Sequence, residues 1–333
     1  MNSQILDHKL VPKVTVIVPV YNTELFVERA IISLMEQTLH DVQFIIIDDG
    51  STDNSLAIIK KVLSRYPSRQ ELVTLISREN RGVAATRNQG LELASGAYVI
   101  HLDSDDWAEP NWLEKLYYKA IKDDADVVIS DYRLIYTTKS IYINQKVDGT
   151  GLCCARNLLT GQLHGSMWNK LVRRSFIVDN NLTFLPNINY LEDFIFVMKV
   201  FLSTNSICHL DLPLVNYNQT NVSSITSSIN TKKINEIINA ISVIQNLIQE
   251  NKSAYTFLSN ELNDFKLRMK FTLIYDSRKQ TPSFLWAINS ESNFAIFKST
   301  IPLYMKVILY FGSKGYIMVA RFLIYFVYVL KRL

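Results

Sequence analysis

Short Val- and Ile-rich runs, too uniformly apolar to keep a wet face, alternate through the first half of the chain with segments whose apolar residues return every three or four positions. Residues 14–20, 44–47, 73–76, 98–102 and 127–129 read as strands, and residues 26–37, 56–66, 84–94 and 112–121 as helices. Strands with no polar face must be covered on both sides, so the pattern predicts a mainly parallel sheet between two helical layers. Right-handed crossovers then set the loops that follow the strands along one edge, where ligands of open α/β sheets bind. That edge should collect Tyr21-Asn22, residues 48–53, Asn80-Arg81-Gly82 and residues 103–106, the unusual polar clusters of this half.

Farther on, the Tyr- and Thr-rich residues 133–145 predict an antiparallel addition, then short helices at 153–159 and 191–201 and a strand pair at 207–217. Ile234, Ile237, Ile238, Ile241, Ile244 and Ile248 recur at helical spacing, so a helical region begins near residue 230. With 333 residues, 48% apolar and 20% charged, the chain can bury a sizeable core, which excludes a disordered or fibrous protein. Its three cysteines, two of them adjacent, support neither a disulfide framework nor a four-cysteine zinc site, and a reducing compartment fits. Residues 1–13 include Asp7, His8 and Lys9 and no long apolar stretch, so no secretory signal is expected. The glycosylation-like triplets at Asn181, Asn218 and Asn221 are then chance matches.

Charge is uneven. Six of the 35 basic residues and none of the acids follow Glu291, which leaves 29 bases against 31 acids before it. The basic surplus lives in the tail and gives the main body no nucleic-acid-binding face. The longest uncharged run there, residues 322–330, is too short to span a membrane, which takes about 20 residues. Wound as a helix, residues 306–333 would gather Lys306, Lys314, Arg321, Lys331 and Arg332 in one arc of about 100° against an aromatic and aliphatic remainder. That describes either a helix lying on an anionic membrane, broken in two by Gly312 and Gly315, or a core-packing helix pair.

Four constellations could carry chemistry. Asp103-Ser104-Asp105-Asp106 crowds three carboxylates at a strand end, which suits a divalent ion with hard oxygen ligands or an acidic turn capping the next helix. Asp48-Asp49-Gly50-Ser51-Thr52-Asp53 is a strand-to-helix turn whose carboxylates could accept from a uracil N–H or a ribose hydroxyl. Asn80-Arg81-Gly82 and Arg87 offer guanidinium groups to phosphate oxygens, or form a solvated pair. In the second half, Glu192 and Asp193 open a helix as dipole partners or as a general base, while Trp168 supplies a sugar-stacking ring or packs in the core, and Lys170 supplies a cation.

Taken in order, Val16-Ile17-Val18-Pro19-Val20-Tyr21-Asn22, Asp48-Asp49-Gly50-Ser51-Thr52-Asp53, Asn80-Arg81-Gly82 with Ala85-Thr86-Arg87-Asn88-Gln89-Gly90, Leu102-Asp103-Ser104-Asp105-Asp106-Trp107 and Glu192-Asp193 resemble family 2 glycosyltransferases of the GT-A fold. The match runs over about residues 12 to 220. It implies a Rossmann-like α/β fold, a mainly parallel sheet flanked by helices, followed here by a helical, amphipathic extension. It also implies an inverting transfer of a sugar from a nucleotide diphosphate, a UDP-sugar, to a hydroxyl. By resemblance, Pro19, Tyr21 and Asp49 hold the nucleoside, with the Tyr21 ring near the base, and Asn80, Gly82, Arg87, Asp103 and Ser104 complete the donor set. Asp105, with Asp103, would hold Mn²⁺ or Mg²⁺, Asp193 would be the base, and Glu192 would stand at the acceptor entrance with Trp168 and Lys170. Many relatives carry an Arg after the tyrosine matched by Tyr217; here Asn218 stands there, Ser224-Ile225-Thr226 follows, and more of the diphosphate falls to Arg87.

The expected organisation is a catalytic domain over residues 1–228, a helical region over 229–295 and a basic membrane-associating tail over 296–333. The expected setting is the cytoplasmic face of a bacterial membrane, with a lipid-linked glycan acceptor in surface polysaccharide synthesis and no nucleic-acid partner. A transferase acting on protein and a catalytically silent sugar-nucleotide-binding partner subunit are the competing functions.

Overall fold

The computed structural model describes residues 11–145, 147, 149–221, 230–278 and 281–330. Residues 1–10, Ser224-Ile225-Thr226 and Lys331-Arg332 lie outside the described residues. The strands are β1 (Val14–Val20), β2 (Val42–Asp48), β3 (Val73–Ser77), β4 (Tyr98–His101), β5 (Trp107–Ala108), β6 (Val127–Ile135), β7 (Ser140–Ile143), β8 (Lys170–Arg173) and β9 (Ile207–Asn218). The α-helices are α1 (Val27–Met35), α2 (Ser55–Leu63), α3 (Val83–Leu93), α4 (Trp112–Lys122), α5 (Gly151–Thr160), α6 (Arg174–Asp179), α7 (Glu192–Ser203), α8 (Thr231–Glu250), α9 (Lys252–Asp276), α10 (Leu303–Ser313) and α11 (Ile317–Leu330). They fall into two compact units, one of Met1–Gly149, Ser166–Asn189 and Ser203–Asn221, the other of Thr150–Gly165, Tyr190–Leu202 and Val222–Leu333.

The nine strands among the described residues belong to the first unit and form one sheet in the order β3-β2-β1-β4-β8-β6-β9-β5, with β7 paired to β6. The β3-β2-β1-β4 half is parallel throughout. Val16 and Ile17, neighbours that point to opposite faces, are both fully buried, so the sheet is covered on both sides as its apolar strands require. Pro19 sits in central β1 without harm. Pairing with β4 ends at Ile17↔His101, and Val20 directs its carbonyl to the other neighbour by accepting from Asp49 N. The missing N–H of Pro19 therefore faces a side where the ladder has already stopped.

Beyond the short β5 and α6, for which the sequence reading has no counterpart, two strands depart from it in ways that shape the sheet. β8 has only two apolar residues in four, yet it lies antiparallel between β4 and β6 through Tyr98↔Arg173 and Val127↔Val172. The expected strand pair at 207–217 is one continuous strand, parallel to β6 from Val127↔Ile207 to Ile135↔Asn218. Its ladder passes from Ser130↔Leu210 directly to Asp131↔Pro213, so Asp211 and Leu212 bulge out of register instead of turning the chain.

The second unit is helical among the described residues. Asn230 caps α8 by accepting from Lys233 N, and Asn251 caps α9 by accepting from Ala254 N. Ile234, Ile237, Ile241, Ile244 and Ile248 form the buried face of α8. Arg268 of α9 donates to the carbonyls of Leu159 and Thr160, which closes the C-terminal end of α5. The last helical stretch breaks at Gly315, whose φ is +84°. Gly312 lies inside α10 and has a different task, since a Cβ there would stand 2.2 Å from the Trp286 ring. No helix among the described residues is long and apolar enough to cross a membrane.

Candidate active site

The loops that follow β1 to β4 meet at one edge of the first unit and hold one another by side-chain to backbone bonds. Ser51 Oγ accepts from Asn22 N at 3.0 Å, and Asn22 Oδ1 accepts from Thr52 N at 2.8 Å. Ser55 Oγ accepts from Thr23 N at 2.9 Å, and Asp53 accepts from Glu24 N at 2.9 Å. The Thr23 hydroxyl donates to Ser104 Oγ at 3.1 Å, so buried Ser104 ties the fourth loop to the first. Tyr21, 47% exposed, presents its ring at the lip of this edge.

Asp49 is nearly inaccessible at its side chain and already committed. Its two oxygens accept from the N–H groups of Arg81 and Gly82, both at 2.9 Å, and Arg78 pairs with it. The carboxylate therefore shapes the loop that contains Asn80, whose own side chain is exposed. Gly50 and Gly82 have φ of +76° and +87°. A Cβ on Gly50 would reach 2.8 Å from Asn80 N, and one on Gly82 would reach 2.6 Å from Asn189 Oδ1. Both positions thus need glycine for conformation and for space.

Arg87, buried in α3, donates to Asp103 Oδ1 at 2.8 Å and lies over the Phe184 ring at 5.6 Å. It fixes the first acid of the cluster. Burial pushes the Asp105 carboxyl above the usual carboxylate range, Asp103 adds to this, and Asn221, donating to Asp105 Oδ2 at 2.9 Å, pulls the other way. Asp106 is raised well above that range by burial and by the charges of Asp105 and Asp103. Its Oδ1 accepts from Asn218 N at 2.8 Å, while its Oδ2 has no hydrogen-bond partner among the described residues. Three acids thus share one paired cation, an excess of negative potential that fits a divalent ion held by one or two carboxylates plus phosphate oxygens. No group of three or more His, Cys, Asp or Glu side chains among the described residues could hold an ion by itself.

The residues expected on the acceptor side are distributed differently. Trp168 is 2% exposed, edge-on to Tyr132 at 4.8 Å and tilted against Tyr217 at 5.4 Å. Lys170 is 1% exposed, and its ammonium donates to Ser166 O and Asn169 Oδ1, both at 2.8 Å. Both are interior residues of the first unit, with no open ring face or free-standing charge for a sugar. Glu192 and Asp193 belong to the second unit, where they form the first turn of α7 and are half-buried. Leu191, just before them, has φ +60°, a left-handed conformation that costs a side chain of this kind about 1–2 kcal/mol. Phe194 stacks on Phe265 at 5.0 Å and holds the start of the helix.

The model of glycosyl transferase family 2 matches residues 15–177, the span that builds this edge. The chain carries a family 2 glycosyltransferase domain. Over 213 residues it is 32% identical to the putative glycosyltransferase EpsH of Bacillus subtilis, a match covering 62% of this chain and 60% of EpsH. Over 234 residues it is 34% identical to the cholesterol galactosyltransferase of Borreliella burgdorferi, covering 65% of this chain and 63% of that protein. The chain thus spans less than two thirds of these relatives. Among solved structures, S. aureus TarS 1–349 in complex with UDP shares the fold at a TM-score of 0.67 and 18% identity, covering 93% of this chain and 90% of that one.

Two residues that brace this edge, Arg78 and Asn88, are given no role by the sequence alone. Arg78 pairs with Asp49 and donates to Gln89 and Thr86, which braces the third loop against α3. Asn88 both donates to Phe184 O and accepts from Phe184 N at 2.8 Å, holding that ring against Arg87. Asp49 lies 29 positions from Arg78 and Phe184 lies 96 positions from Asn88, beyond the reach of any local pattern.

Proposed function

We propose that the chain is a metal-dependent, inverting glycosyltransferase of hexosyltransferase type, moving a sugar from a UDP-sugar to a hydroxyl of a lipid-linked glycan in bacterial surface polysaccharide synthesis. The observation that carries the reading is the meeting of four post-strand loops at one sheet edge, with Asp49, Arg87, Asp103 and Asp105 set there by named bonds. The UDP complex of TarS and the family match support the donor class. The enzyme would work at the cytoplasmic face of the membrane, with residues 1–228 as the catalytic domain, 229–295 as a helical region and 296–333 as the membrane-associating tail.

In this reading Tyr21 lies along the base, while Pro19, Asp49 and the Asn80–Gly82 loop enclose the nucleoside. Arg87 keeps Asp103 oriented toward the ribose, and Ser104 locks the loop. Asp103 and Asp105 would hold Mn²⁺ or Mg²⁺, which offsets the charge that grows on the departing diphosphate. Asp193 takes the proton of the acceptor hydroxyl as its oxygen attacks the anomeric carbon opposite the leaving group, so the centre inverts. Glu192 orients the acceptor. A panel of sugar nucleotides incubated with the purified chain and Mn²⁺, scored for donor hydrolysis, tests the proposal. Turnover of one UDP-sugar is the expected result, and none with any donor would overturn it.

A further inference from the structure

The second unit contains a cavity of about 250 Å³ lined by Arg278, Thr281, Arg321, Ile324, Tyr325 and Tyr328. Its two guanidinium groups are held in place without a carboxylate within ion-pair distance among the described residues. Arg321 donates to Thr281 O at 2.9 Å. Arg278 donates to Tyr275 O at 3.0 Å and stacks over the Tyr328 ring at 4.0 Å. Asp276, whose carboxyl feels the Arg278 charge, is the acid nearest in effect. Ile324 and the tyrosine rings make the remaining wall apolar. Two preset forks of N–H donors above an apolar wall fit a phosphate joined to a greasy body.

The surface of the same unit continues that chemistry. Phe294, Phe297, Leu303, Met318, Phe322 and Phe326 are exposed, Met318 by 78% and Phe322 by 69%. Lys298, Lys306, Lys314 and Arg321 lie in the same acid-free stretch. A second copy of the chain would be a poor cover, because the stretch after Glu291 offers basic residues and no acid of its own to pair with them. An anionic bilayer meets both the aromatic face and the charge.

We propose that the Arg278–Arg321 cavity takes the phosphate headgroup of an anionic membrane lipid, while the aromatic face of α11 sits at the boundary of headgroups and acyl chains. This rests on the membrane-peripheral reading and names the residues that make the contact. The test is sedimentation of the full chain with phosphatidylglycerol-containing vesicles and with phosphatidylcholine vesicles, for the parent, R278Q/R321Q and F322S/F326S. The parent should bind only the anionic vesicles. R278Q/R321Q should lose about thirtyfold in affinity, since each basic residue at such a surface is worth about 1 kcal/mol. F322S/F326S changes two exposed side chains, so it carries the test if the arginine pair fails to fold, and it should lose at least tenfold. Undiminished binding by both pairs, equal binding of the parent to neutral vesicles, or a dimer broken by F322S/F326S with no vesicle binding would each overturn the proposal. Capture of inorganic phosphate without vesicle binding would also overturn it, because the source would not be lipid. Donor hydrolysis in vesicle-free buffer, read in parallel, should be unchanged in both variants; its absence in the parent would remove the transferase reading and leave this one standing.

Discussion

Asp193 and Asp105 separate two kinds of dependence on a single carboxylate. Asp193→Asn keeps size and one acceptor but cannot take a proton at neutral pH. UDP affinity and melting temperature should stay near the parent's, while transfer should fall by about 10² to 10⁴, the usual contribution of a positioned base. Near-normal transfer by folded protein would pass the role to Glu192. Asp105→Ala should instead remove both turnover and the response to Mn²⁺, since the diphosphate charge would lose its partner; full activity in EDTA would count against a metal. Asp49 and Asp103 stood out in the sequence because each lies just after a strand, where a carboxylate is conspicuous. Asn88 and Arg78 did not, because their work depends on Phe184 and Asp49, which only the folded chain brings to them. Trp168 and Lys170 show the opposite difficulty. An aromatic ring beside a cation reads as a sugar site, and nothing local reveals that Tyr132 and Tyr217 enclose the ring or that Ser166 and Asn169 take the ammonium's protons.

Among the elements, those with a long uniform signal were readable and those defined by their neighbours were not. β1 and β2 are mostly apolar, and α8 keeps isoleucine at helical spacing, so pattern and structure agree there. β8 is four residues long and exists because β4 and β6 leave a gap of one strand between them. The Asp211-Leu212-Pro213 sequence resembles a turn, yet β6 continues on the far side and the ladder absorbs the extra residues. At α10 the two glycines looked alike in sequence and differ in the fold. Gly312→Ala would press a methyl into the Trp286 ring and should lower stability by about 1–3 kcal/mol, the usual toll of overpacking. Urea unfolding of the variant checks this, and an unchanged midpoint would mean that α10 can shift away from Trp286 at no cost.

For the molecule as a whole, stability against pH should carry the mark of Lys270 in α9. Its ammonium is buried, with Asn293 Oδ1 at 3.3 Å, and burial pulls its pKa from 10.5 down to about 8 against the opposing charge of Glu291. The folded chain then holds fewer protons than the unfolded one between about pH 8 and 10.5, so stability should climb across that window and be indifferent to this group below it. Lys270→Met should raise stability at pH 7 by up to about 3 kcal/mol and flatten the climb. Urea melts at pH 7 and 9.5 decide; a variant no more stable than the parent at pH 7 would show that the ammonium is well solvated. The division into two units has a further consequence at this scale. The chain leaves the first unit at Gly149 and returns at Ser166, then leaves at Asn189 and returns at Ser203, so strands β8 and β9 arrive late and fill places inside the sheet order. At about 5–20 residues per second on the ribosome, the open side of β4 waits roughly 3–14 s for β8 to emerge. During that interval the nascent sheet has an unpaired border, and a chaperone that shields such borders would govern how much of the newly made protein reaches its native form.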